Sequence, residues 1–102
     1  MAYTVSVKWD PSSTWDGYLY ASNGTGGYNY QSFNHMYDVG KTKTIQVMEN
    51  DFLIAKASNN ASPHGLYGGS GMYTVVEHGT GIGNSDYAVV YKVTQSTFCT
   101  FS

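Results

Sequence analysis

Six residues close together in the chain, Trp15, Asp16, Asn23, Tyr28, Asn29 and Tyr30, carry the side chains that sugar recognition uses. The C–H face of a pyranose packs on an aromatic ring, while amides and carboxylates pair with its hydroxyls. These residues flank one loop, Ser22-Asn23-Gly24-Thr25-Gly26-Gly27, and are read as a candidate carbohydrate-binding platform. The competing reading is architectural. Tyr18, Tyr20, Tyr28 and Tyr30 also fit half-buried strand positions, which tyrosine suits without any ligand. Of the two tryptophans, Trp15 follows a Pro-Ser-Ser stretch and reads as a rim residue, whereas Trp9 ends an alternating apolar face and reads as core. Asn84 and Asp86, at the far end of a later hairpin, form a second candidate site, with turn capping as the alternative role of Asp86.

Other chemistries find little support in the spacing. Gly79-Thr80-Gly81-Ile82-Gly83-Asn84 matches neither nucleotide fingerprint, and no helix pattern follows it. His35, His64 and His78 are scattered without metal-ligand spacing, so no metal and no cofactor is expected. Cys99 is the single cysteine, which excludes an internal disulfide. In an apolar tail it reads as a small buried hydrophobe rather than a nucleophile. Asp10, Asp16, Asp38, Glu49, Asp51, Glu77 and Asp86 could supply a glycosidase pair, but a chain this short rarely builds a deep cleft. A binding protein rather than an enzyme is expected.

Five Lys and Arg against seven Asp and Glu give a net charge of -2. That leaves no basic patch for nucleic acid and none for an anionic membrane. No apolar run approaches a membrane span, so no membrane insertion is expected. The opening MAYTVSVKWD lacks the basic and long apolar regions of a signal peptide. The expectation is a cytoplasmic protein, one exported without a classical signal, or a mature form with an added start Met. Asn23-Gly24-Thr25 and Asn60-Ala61-Ser62 fit the glycosylation triplet, which matters only on a secretory route.

The elements that must position the candidate residues are strands. The 102 residues fit one domain, 1–102, and a charged share of 12% with 16% aromatics argues against disorder. Tyr3, Val5, Val7 and Trp9 alternate with polar residues, and Pro11 ends the pattern. Further strands are predicted over 15–21, 28–33, 42–49 and 52–57. The stretch 58–71 reads as irregular, anchored only by Leu66 and Tyr67. A hairpin over 72–93 would place Tyr87, Val89, Tyr91 and Val93 on one face. The tail 94–102 reads as a last edge strand. About seven short strands at roughly 8–12-residue spacing predict an all-β, antiparallel β-sandwich.

In several places the chain resembles the fungal immunomodulatory proteins, a family of small mushroom lectin-like proteins. The similar stretches are Tyr73 to Asp86, Tyr87 to Val93, Lys8-Trp9-Asp10, Gly17 to Gly26, and Lys43-Thr44-Ile45-Gln46-Val47. The resemblance implies an immunoglobulin-like or fibronectin type III sandwich, a homodimer, and sugar-dependent binding to cell-surface glycans. The family's loop tryptophan falls on Asn23 here, and its C-terminal tryptophan has no counterpart. The family dimerises through an N-terminal helix, whereas Tyr3–Trp9 alternates as a strand does.

Overall fold

The computed structural model describes residues 1–11, 14–58, 64–77 and 88–102. These form nine strands: β1 (Ala2–Trp9), β2 (Gly17–Ser22), β3 (Gly27–Phe33), β4 (Thr42–Met48), β5 (Phe52–Ala57), β6 (Leu66–Tyr67), β7 (Met72–Glu77), β8 (Ala88–Val93) and β9 (Thr97–Phe101). No helix occurs among the described residues. The strands build two sheets, in the orders β4-β1-β9-β6 and β3-β2-β5-β8-β7.

The alternation read from the sequence explains how the sheets share a core. Val5, Val7 and Trp9 point inward from β1, Ile45 and Val47 from β4, and Cys99 and Phe101 from β9. They meet Leu19 and Ala21 of β2, Leu53, Ala55 and Ala57 of β5, and Val89, Tyr91 and Val93 of β8 in one buried cluster. The result is a β-sandwich-like, all-β architecture. One end of the core is aromatic. Trp9 lies parallel to Phe33 at 5.1 Å and 6°, and edge-on to Trp15 at 4.6 Å and to Phe101 at 5.2 Å.

Four expectations need correction. One additional strand appears, the short β6 within the stretch read as irregular. The sheets are not wholly antiparallel, because β9 runs parallel to β1. The C-terminal strand is not an edge: it lies between β1 and β6, since its alternate residues Cys99 and Phe101 are apolar enough to be buried. Trp15 is not at a rim. It precedes β2, is 1% exposed, and sits in the aromatic end of the core.

The two long seams between the sheets differ. Along β3 and β4, side chains take the place of a main-chain ladder. Asn29 Nδ2 donates to the Gln46 carbonyl at 2.9 Å, and Gln31 Nε2 to that of Thr44 at 2.8 Å. Lys43 Nζ donates to the Ser32 carbonyl at 2.7 Å. The Tyr28 hydroxyl accepts from the Met48 N–H at 2.7 Å and donates to Asp51 Oδ2 at 2.9 Å. Tyr28 can do this because the register of β2 and β3 shifts between Ala21 and Ser22, so it falls in a bulge and is re-aimed. At the other seam, β6, β7 and β8 leave a cleft of about 230 Å³ lined by His64, Gly65, Leu66, Tyr67, Thr74, Val89 and Tyr91.

Candidate functional site

β2 and β3 are paired so that Tyr18 faces Ser32 and Tyr20 faces Tyr30. Leu19 and Phe33 belong to the core, so these even-numbered partners lie on the outer face of the sheet. Tyr20 and Tyr30 have ring centroids 5.1 Å apart, tilted by 50°. Tyr18 and Tyr30 are 6.5 Å apart with planes within 26°. Tyr30 is 53% exposed and stands as a ridge, while Tyr18 and Tyr20 are half-buried. Burial, first of all, raises the pKa of both the Tyr18 and Tyr20 hydroxyls, with the Asp16 charge adding to the effect at Tyr18. They remain neutral groups that can both donate and accept a hydrogen bond.

A hollow lies on each side of Tyr30. One, of about 300 Å³, is walled by Tyr20, Gly27, Tyr28, Asn29 and Tyr30. The other, of about 180 Å³, is walled by Asp16, Tyr18, Tyr30, Ser32, Phe33, Asn34 and Asp38. Asp16 is held in place from several sides. Its N–H donates to Ser58 Oγ at 2.8 Å, and its Oδ1 accepts from the His35 N–H at 2.8 Å and lies 2.8 Å from His35 Nδ1. The His35 N–H, then the ring, lowers the Asp16 pKa, so the group is a carboxylate at neutral pH. Its Oδ2 has no partner among the described residues and is free to accept. Asp38 differs. The Asn34 N–H lowers its pKa most, and Lys41 and Lys43 lie 3.3 and 3.4 Å from its oxygens.

The six first-choice residues therefore separate. Asp16 and Tyr30 are brought together on the outer face. Tyr28 and Asn29 edge one hollow, but the Tyr28 hydroxyl and the Asn29 amide nitrogen are engaged in the β3–β4 seam. Asn23 is turned to loop architecture: its Oδ1 accepts from Thr25 N at 2.9 Å, Thr25 Oγ1 at 2.8 Å and Gly26 N at 3.0 Å, beside Gly24 at a φ of 95°. Trp15, buried, offers no ring face to a ligand. Asn84 and Asp86 lie outside the described residues. The structure adds Tyr18, Tyr20, Ser32 and Asn34 to the candidate site, together with Asp38, which the sequence offered only as a possible glycosidase carboxylate. The i, i+2 spacing of the first two was visible, but the strand register that sets them beside Tyr30 was not.

No group of three or more potential metal ligands occurs among the described residues, and no helix there is long and apolar enough to cross a membrane. Cys99 is buried, and burial pushes its thiol up to about 11. Comparison with protein-family models, curated proteins and solved structures returns no match.

Away from the tyrosine face, His64 stacks on Trp15 at 3.9 Å and 16°, and its buried Nε2 has no hydrogen-bond partner among the described residues. Burial lowers its pKa below the usual 6.5. The unfolded chain therefore takes up this proton at a higher pH than the folded one, and stability falls as pH drops through about 6.5. The lowered carboxylates, Asp16 and Asp38, act in a separate window, below about 3.8. Urea midpoints compared at about pH 7.5 and about pH 5.5 should fall less in His64→Phe, which keeps the ring stack, than in the parent. An equal fall in both would remove His64 as the cause.

Proposed function

We propose that the chain is a non-catalytic, carbohydrate-binding, lectin-like protein that acts by binding cell-surface glycans on the outer face of β2 and β3. The observation that carries this reading is the exposed Tyr30 ring, flanked by Tyr18 and Tyr20, next to the free carboxylate oxygen of Asp16. An apolar ring face beside a fixed acceptor is what a pyranose needs: its C–H face packs while a neighbouring hydroxyl donates. The resemblance to the fungal immunomodulatory proteins supports the same reading. With it come an immunoglobulin-like or fibronectin type III strand arrangement and a homodimer, which sedimentation would measure. Residues Ala2–Trp9 form no helix that could join two copies, because β1 is a strand paired on both sides, with β4 and β9. Agglutination of cells would require such a dimer, since cross-linking needs at least two sites.

A glycan array tests the proposal, and Tyr30→Ala is expected to weaken any binding by about tenfold or more through loss of the ring contact. Its urea midpoint should stay near that of the parent, because the ring is largely exposed. An array without hits would favour a second reading, a protein-interaction module. That reading rests on β7, an edge strand of its sheet, where Tyr73, Val75 and Val76 are 57%, 47% and 43% exposed.

A further inference from the structure

The two hollows share a wall. Tyr30 borders both, Tyr20 continues the surface on one side and Tyr18 on the other. At about 300 and 180 Å³, each is at or below the lower end of the range for self-sufficient small-molecule pockets, roughly 300–1,000 Å³. A single sugar in the larger hollow would meet tyrosine rings but little that is polar beyond Asn29, and one in the smaller would meet Tyr18 and Tyr30 beside Asp16, Ser32, Asn34 and Asp38. A chain crossing Tyr30 would meet three rings, with the Asp16, Ser32 and Asn34 side chains at one end. Tyr18 and Tyr30, 6.5 Å apart, both wall the smaller hollow, so one extended ligand can touch both.

The charge at the site also selects. The free Asp16 oxygen accepts a hydroxyl hydrogen and repels a carboxylate or a sulfate. The lysines nearest this hollow are already engaged: Lys41 and Lys43 lie at Asp38, and Lys56, across from Tyr18 in β5, has an interaction of its own.

Resting on the reading of this face as a glycan site, we propose that its ligand is a linear, uncharged polysaccharide gripped along its length, with adjoining sugar units on the two sides of Tyr30, rather than a single terminal sugar. Affinity then comes from summed neighbouring contacts and grows with chain length until both hollows are filled.

The test is calorimetric titration with neutral β-1,4-linked gluco-, manno- and xylo-oligosaccharides, from the monosaccharide to the hexasaccharide, and with heparin as the anionic probe. At least one neutral series should tighten by about tenfold or more from monosaccharide to tetrasaccharide and then level off. Heparin should bind more weakly than that series. Tyr18→Ala should abolish much of the gain with length. Asp16→Asn, which keeps the shape and an accepting oxygen, should narrow the preference over heparin without shifting the melting temperature by more than a few degrees. Equal affinity for monosaccharide and hexasaccharide, tighter binding of heparin, or no binding of any neutral series would each overturn the inference. Hits on an array of branched, terminal glycans would then still leave the glycan reading standing, whereas a blank array would remove both.

Discussion

Trp9→Ala is expected to destabilise the fold by about 3–5 kcal/mol, the range for truncating a large buried aromatic. Trp9 is 0% exposed and touches three other rings, Trp15, Phe33 and Phe101. Few neighbours can move in to fill the space. Phe33 ends β3, Phe101 ends β9, and Trp15 is itself held by the stacked His64 ring. Domains of this size are stable by only about 5–15 kcal/mol, so the variant should unfold at much lower urea or fail to accumulate folded. A urea midpoint close to that of the parent would show that the aromatic end contributes little. As a control, Phe98→Ala, at a strand position 55% exposed, should change stability by no more than about 0.5 kcal/mol.

The second large effect comes from adding one methyl group. Gly17→Ala would place a Cβ within 2.7 Å of Trp9 Cη2 and 3.0 Å of Phe101 Cε2, and closer still to Trp9 Cζ3. Neither ring can retreat, because each is packed against the other and against Phe33. The expected loss is about 1–3 kcal/mol from overpacking. Gly17 also separates Asp16 from Tyr18, so strain there would displace the outer face along with the core, and the proposed sugar binding should weaken together with stability. A double-mutant cycle with Trp9→Phe isolates the cause. The smaller ring should relieve the clash, giving a favourable coupling of about 0.5–3 kcal/mol. Strict additivity would place the strain elsewhere.

The link between Gly17 and Trp9 shows the limit of the sequence. That Trp9 is core followed from its place at the end of Tyr3, Val5 and Val7, because a period of two sends every second side chain to one face. The same rule yielded β1, β4 and the buried set of Val89, Tyr91 and Val93, all local patterns needing no partner. Nothing in the local pattern said why residue 17 is glycine. The reason lies in a ring contributed by β1 and another by β9, far away in the chain.

The candidate site divides in the same way. Residue type alone marked Asp16 and Tyr30 as groups able to hold a sugar, because an exposed ring and a carboxylate have that chemistry wherever they lie. Residue type also marked Trp15, Asn23 and Asn29, whose side chains the fold engages in the core, the loop and the β3–β4 seam. The burial of Trp15 is decided by Trp9 and His64, and the role of Asn29 by the Gln46 carbonyl on the opposite sheet. The sequence by itself determined an all-β chain with a tyrosine-rich surface, since alternation and composition act within a few residues. Only the tertiary structure decided that Tyr18, Tyr20 and Tyr30 form one surface, that β9 lies inside its sheet beside β1, and that Asn29 and Gln31 close a seam. Those facts depend on strand register and on sheet-to-sheet approach, which are set by contacts between residues distant along the chain.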